Sequence, residues 1–132
     1  MTDRLPDEVT SFVLQHVHSV RQLELLLDLH NHHAREVTVE VVSRAHSLRD
    51  EQAAALLEDL ARRGLLTKSD EGEQALYKYE PRTKELGHQV TTLAKVYPTY
   101  RDSVISLIFS RPSESVRSFA DAFRLRKDEN DG

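Results

Sequence analysis

The sequence predicts a mainly α protein with a two-stranded β-wing and a long C-terminal helix. Three observations predict it. Apolar residues recur at helical spacing through most of the chain. A leucine-rich stretch stops at Arg62-Arg63-Gly64, with cations for the helix dipole and a glycine beyond the last turn. The run Gln74-Ala75-Leu76-Tyr77-Lys78-Tyr79-Glu80 then alternates and carries two tyrosines, as a strand does.

The elements follow in order. Pro6 with Asp7 and Glu8 reads as a helix start, and Val9, Phe12, Val13 and Val17 recur behind it. Ser19-Val20-Arg21-Gln22 is a capping box that opens a second helix, lined by Val20, Leu23, Leu26, Leu27 and His30. Asn31 to Arg35 ends it. Thr38 is the next N-cap, before a short helix with Val39, Val41, Val42 and Ala45. Ser47-Leu48-Arg49-Asp50 reads as a second capping box, opening a helix that runs to Arg63. Leu65 to Lys68 is a short strand, Ser69 to Glu73 a turn, and Pro81 ends the returning strand.

From Arg82 the pattern is helical again. Leu86, Val90, Leu93, Tyr97, Tyr100, Val104 and Leu107 are spaced 4, 3, 4, 3, 4, 3. That is a heptad-like seam, expected to join two copies of the chain as a homodimer. Pro98 falls inside it, so one long helix kinked there is expected, with two helices in line as the alternative. Ser113 caps a last amphipathic helix with Val116, Phe119, Ala120 and Phe123 on one face. Three regions result: a winged-helix domain with its N-terminal helix over 1–81, a C-terminal helical dimerisation region over 82–126, and a polar tail over 127–132.

Composition narrows the function. Hydrophobic residues at 39% are too many for a disordered chain and enough for a modest core. Without cysteine there is no disulfide framework, thiolate nucleophile or thiolate metal site. No apolar run reaches the ~20 residues of a membrane helix, and the acidic start lacks a signal-peptide core, so a cytoplasmic protein is expected. No Gly-rich phosphate loop, GxSxG or HExxH motif occurs, so no enzyme, cofactor or small-molecule substrate is expected.

Helix, short helix, longer helix, glycine stop and hairpin is the order of a winged helix-turn-helix. The run Leu56-Leu57-Glu58-Asp59-Leu60-Ala61-Arg62-Arg63-Gly64-Leu65-Leu66 resembles the end of the recognition helix and first wing strand of bacterial regulators of the broad MarR, ArsR and PadR type. The resemblance covers roughly Ser19 to Glu80, and the long helix after it is similar to the dimerisation helices many such regulators append. It implies transcriptional control, with the third helix of the helix-turn-helix region in the major groove.

The residues themselves pull the other way. With Ala53, Leu56, Leu57 and Leu60 inward, the outward face of that helix is Glu51, Gln52, Ala55, Glu58, Asp59 and Arg62. Three of these six are acids, which repel phosphate and have no basic partners evident in the sequence. The wing offers Lys68, Lys78 and Arg82, offset by Asp70, Glu71, Glu73 and Glu80. The formal net charge of −4 adds no bias toward DNA. Two partners therefore stay open: DNA, or a basic protein surface that the acidic helix would contact. His16, His18, His30, His32 and His33 crowd two helix ends, but none are four apart on one helical face, so no metal is expected.

Overall fold

The computed structural model describes residues 5–70 and 72–110. Its elements run α1 (Asp7–His16), α2 (Val20–Asn31), β1 (Glu36–Val37), α3 (Val39–Ala45), α4 (Asp50–Arg62), β2 (Leu66–Ser69), β3 (Leu76–Tyr79) and α5 (Lys84–Ser110). The sheet order is β1-β3-β2, antiparallel throughout. The hairpin is therefore joined by a third, two-residue strand that the sequence pattern does not announce. Glu36 and Val37 are too short a run to show alternation. They pair because they lie opposite Lys78 and Tyr77, and Val37 is buried.

Local chemistry explains most boundaries. Ser19 Oγ accepts from the Gln22 N–H at 3.1 Å, and Thr38 Oγ1 from Val41 at 3.2 Å. Both satisfy a first-turn donor that the helix itself cannot. Gln22 departs from the simple capping box: its Oε1 accepts from the His18 N–H at 2.7 Å, one residue before the cap. The expected box at Ser47 is a correction. Ser47 instead takes a left-handed φ of 55°, and α4 begins two residues later than that box requires, with Arg49 as its N-cap. Leu48 is the reason. It is buried, Ser43 Oγ donates to its carbonyl at 2.6 Å, and the chain turns at Ser47 to place it there. The Arg49 N–H then donates to Gln52 Oε1 at 3.0 Å.

The far end of α4 closes as its glycine predicts. The Leu65 N–H reaches the Leu60 carbonyl and the Gly64 N–H that of Ala61, both at 3.0 Å, with Gly64 at φ 82°. This pair of reversed bonds is the Schellman termination, which needs the left-handed residue that glycine supplies without strain.

Leu93, Val90 and Val104 on α5 are fully buried, in one core with Val9, Phe12 and Val13 of α1 and Leu23 and Leu26 of α2. Helices α1 and α2 pack directly on α5. The sequence assigns the row Leu86, Val90, Leu93, Tyr97, Tyr100, Val104 and Leu107 to a contact between two chains. The structure covers Val90, Leu93 and Val104 within one chain and leaves Leu86, Tyr97, Tyr100 and Leu107 partly buried against the same core. An apolar stripe only says that something must cover it, and α1 does so here. Helix α5 carries Pro98 inside, and its one non-helical residue is Tyr100, at φ −112° and ψ 26°. The last helix expected from Ser113, with Val116, Phe119, Ala120 and Phe123, and the tail over 127–132 lie outside the described residues.

Candidate nucleic-acid or partner interface

Helices α3 and α4 pack on each other as a helix-turn-helix pair, and β2 leaves the end of α4 directly. Ala53, Leu57 and Leu60 are fully buried, which fixes the rotation of α4 about its axis. Glu51, Gln52, Ala55, Glu58 and Arg62 then stand exposed on the other side, as the helical spacing predicts. Asp59 does not join them fully. Its side chain is only 22% exposed, and it is turned toward α2.

Asp59 is the centre of a polar cluster beneath α4. Its Oδ2 accepts from Gln22 Nε2 at 2.6 Å and from Arg63 Nε at 2.8 Å, and its Oδ1 accepts from Arg62 at 3.0 Å. Arg63 also donates to the Gln15 carbonyl at 3.0 Å and to the His18 ring. Gln22 is the one buried polar side chain among the described residues, and both ends of its amide are used. Burial alone would raise the Asp59 carboxyl. The hydrogen bonds from Arg63 and Gln22 and the Arg63 charge outweigh it and hold the group below its ordinary range. His16 sits at the edge of the same cluster. Burial first, then the Arg63 charge, lowers its affinity for a proton.

Glu58 lies one residue away and turns toward the wing instead. Its carboxylate accepts from the Tyr77 hydroxyl and from Lys68 Nζ at 3.0 Å, so it reaches both strands of the hairpin. These two donors hold its pKa below the ordinary value, Tyr77 being the larger cause. Lys68 is raised in turn by the same bond to Glu58. Burial, then the Glu58 bond, pushes the Tyr77 hydroxyl up to about 12. Lys68 Nζ also stands 5.9 Å from the centre of the Tyr77 ring.

The acids of this face are thus not without basic partners, contrary to the sequence reading. Glu51 pairs with Arg49 at 3.6 Å, Glu58 with Lys68, and Asp59 with Arg62 and Arg63. On α3, Glu40 pairs with Arg44 at 2.7 Å. Sequence reasoning missed Arg44 and Arg49 as members of the face. The Glu40–Arg44 and Asp59–Arg63 spacings of four, and the Asp59–Arg62 spacing of three, were the available signals. The Glu58–Lys68 tie crosses ten residues of chain and carries no such signal.

The wing residues fall in three different places. Lys68 leans on Glu58. Lys78 is half-buried on the central strand, opposite Thr67 and Glu36. Arg82 lies at the base of the hairpin, where its N–H donates to the Gly64 carbonyl at 2.7 Å. A Cβ at Gly64 would stand 3.2 Å from the Arg82 side chain, so the glycine serves that close approach as well as the turn. Of the histidines, His32 and His46 both reach the Asp28 carboxylate, at 3.2 and 3.1 Å, and His46 thereby joins the end of α3 to α2. Among the described residues no three His, Asp or Glu groups are placed to hold a metal ion.

With this geometry in view, comparison with solved structures identifies the fold. HlyU from Vibrio cholerae, in its reduced form, superposes with a TM-score of 0.52 at 21% identity, covering 69% of this chain and 90% of that one. MepR, a transcription regulator of the Staphylococcus aureus multidrug efflux pump MepA, gives 0.54 at 15% identity, covering 96% and 89%. A MepR mutant bound to an oligodeoxyribonucleotide gives 0.54 at 14%, covering 96% and 88%. The chain is a winged helix-turn-helix. In that frame α3 and α4 are the helix-turn-helix, β2 and β3 the wing, and α5 the appended helix. No family model and no curated protein sequence matches the chain. No helix among the described residues is long and apolar enough to cross a membrane.

Proposed function

We propose that this winged helix is a non-enzymatic, cytoplasmic regulator of transcription that binds duplex DNA through α4 and the wing as a homodimer. One observation carries the reading. The outer row of α4 is exposed for its full length, and the cations Arg49 and Arg62 stand at its two ends. A helix so presented fits the major groove, and cations at its margin are where phosphates would lie. MepR, which shares the fold, has been captured on an oligodeoxyribonucleotide. The sequence carries no Gly-rich phosphate loop, GxSxG or HExxH motif, which supports the non-enzymatic part of the reading.

The dimer contact is proposed on α5, through the residues of its row left partly buried, Leu86, Tyr97, Tyr100 and Leu107, and the exposed Phe109 beyond them. Phe109 there is 76% exposed, a large apolar side chain that a second copy would cover. Light scattering at micromolar concentration should give twice the 15.1 kDa chain mass, and Phe109→Glu should return it to the monomer. A monomeric wild type would remove the dimer from the proposal.

The second reading, a protein partner, is favoured by a different observation. Each of the four cations Arg44, Arg49, Arg62 and Lys68 is already paired with a carboxylate, which leaves the face close to neutral. Selection from a random duplex library separates the two readings. Enrichment of one motif, with affinity that falls as salt rises, is expected for the DNA reading. Failure to enrich any sequence would overturn it. Loss of a copurifying protein on changing Glu51 and Glu58 together to Gln would then establish the alternative.

A further inference from the structure

We infer that Glu58 is a positioning residue that ties the wing to α4 and holds Lys68 off phosphate even in the DNA-bound wild type, so that the wing gives duplex binding one cation fewer than its sequence offers. This rests on the DNA reading above and adds the regulation of that same surface. Among the carboxylate–cation pairs of this outer face, the geometry is particular to Glu58. The pairs Glu40–Arg44 and Asp59–Arg62 run along a single helix, and Glu51–Arg49 closes a helix start. Such pairs hold no element against another. Glu58 instead joins α4 to β2 through Lys68 and to β3 through Tyr77.

Tyr77 makes this tie directional. Its residue is only 2% exposed, so the ring is fixed in the core and its hydroxyl is a stationary donor. Glu58 is thereby oriented, and its second interaction falls on the Lys68 ammonium. A carboxylate and a phosphate oxygen are the same kind of acceptor for an ammonium group. Lys68 can therefore neutralise one or the other, and it exchanges Glu58 for phosphate only once the acid is removed. Both side chains are partly solvated, at 35% and 49% exposure, so the tie adds little stability and its removal frees Lys68 without unfolding the wing. It lowers affinity without abolishing it.

The salt dependence of binding distinguishes this exchange from simple repulsion. Removing a nearby acid tightens binding but neutralises no further phosphate. Releasing Lys68 adds a phosphate contact, and each such contact steepens the slope of log K against log salt by about 0.9. The test uses the full chain and a short random-sequence duplex, followed by fluorescence anisotropy between about 50 and 200 mM salt. Glu58→Gln keeps an acceptor for Tyr77 and is a good helix former. It should tighten binding roughly two- to fivefold at the low-salt end, the range a solvent-exposed pair supports. It should also steepen the slope by about 0.9 per bound protomer. Lys68→Gln alone should leave the wild-type slope almost unchanged, and in the Glu58→Gln background it should reverse the steepening.

Tighter binding without a steeper slope would overturn the inference. So would a Lys68→Gln change that flattens the wild-type slope as much as it flattens the variant's, because Lys68 would then already be on phosphate. That arm also decides the matter if Glu58→Gln does not fold. If the wild type binds duplex and Glu58→Gln binds identically, the tie is irrelevant and the DNA reading survives. If no variant binds duplex at any salt, the DNA reading fails and the exchange fails with it.

Discussion

The two sides of α4 use the same kinds of residue for opposite ends. Asp59 and Glu58 are neighbouring acids, each paired with a cation and a neutral donor. Asp59 faces the α1–α2 turn, where Gln22 is buried and Arg63 is only 22% exposed. Glu58 faces the wing and solvent. The inner cluster takes polar groups out of water and must satisfy all of them, so its members are coupled and costly to remove. The outer tie competes with water at every atom but the Tyr77 hydroxyl, so it contributes little stability. A helix that must be both anchored and available for binding divides its charges in this way.

The largest expected effect lies on the inner side, in the core that anchors the scaffold. Leu93→Asp places a charge with no partner where Val9, Phe12 and Leu23 now exclude water. The cost is on the order of 3–5 kcal/mol, enough to abolish most of a small domain's stability. The expected result is loss of cooperative urea unfolding, with no folded monomer along the way. A variant that remains folded and merely dissociates would mean the row faces a second chain after all.

Asp59→Ala is next in size. It leaves the buried Gln22 amide and the half-buried Arg63 guanidinium each short of an acceptor, at a cost of about 1–3 kcal/mol in urea unfolding. Glu51→Ala on the outer side should stay within about 0.5 kcal/mol of wild type by the same measurement. The Asp59 contribution also has a pH window. Its folded pKa is lowered, so the stabilisation is complete above the unfolded carboxylate value of about 3.9 and is lost as pH falls through the folded value. The gap between wild type and Asp59→Ala should therefore be constant at neutral pH and narrow only below about pH 4. A gap that closes between pH 7 and 5 would point to a histidine of the cluster instead.

This division also marks what was legible in the sequence. The inward row Ala53, Leu56, Leu57 and Leu60 and the stop at Gly64 are local patterns; the row is buried except at Leu56, which is partly buried, and the stop stands in the structure. So do the N-caps at Ser19 and Thr38. Three features depend on which distant element arrives, and spacing alone cannot show them. Strand β1 exists because β3 passes beside it. The start of α4 moves past Ser47 because Leu48 finds a core position. Val90, Leu93 and Val104 of the α5 row are buried in the core shared with α1 and α2, where spacing also allowed a second chain. Of the expected outer face, Glu51, Gln52, Ala55, Glu58 and Arg62 are exposed and Asp59 is turned toward α2. The electrostatics of this face were not legible, because charge counting along a helix does not see Lys68 return from the wing.

The smallest effect, and the sharpest comparison, concerns two tyrosines on one strand. Tyr77 and Tyr79 both point inward from β3, and both are nearly buried. The Tyr77 hydroxyl has Glu58 as its acceptor. The Tyr79 hydroxyl is buried with no hydrogen-bond partner among the described residues, while its ring meets His30 edge-on at 5.3 Å. Burial alone pushes that hydroxyl up to about 12. Phe keeps the ring and removes only the oxygen, so the two substitutions isolate what each hydroxyl contributes. Tyr77→Phe removes a bond to a charged acceptor that solvent also reaches, and should cost about 1 kcal/mol. Tyr79→Phe removes a polar atom that gains nothing from its surroundings. It should be neutral or stabilising, because the desolvation cost of that hydroxyl disappears and no bond is lost with it. Urea denaturation of the two variants beside the wild type reads both values. Equal destabilisation by the two would mean that the Tyr79 hydroxyl is satisfied in solution, and the contrast between a tied and an untied hydroxyl on β3 would fall.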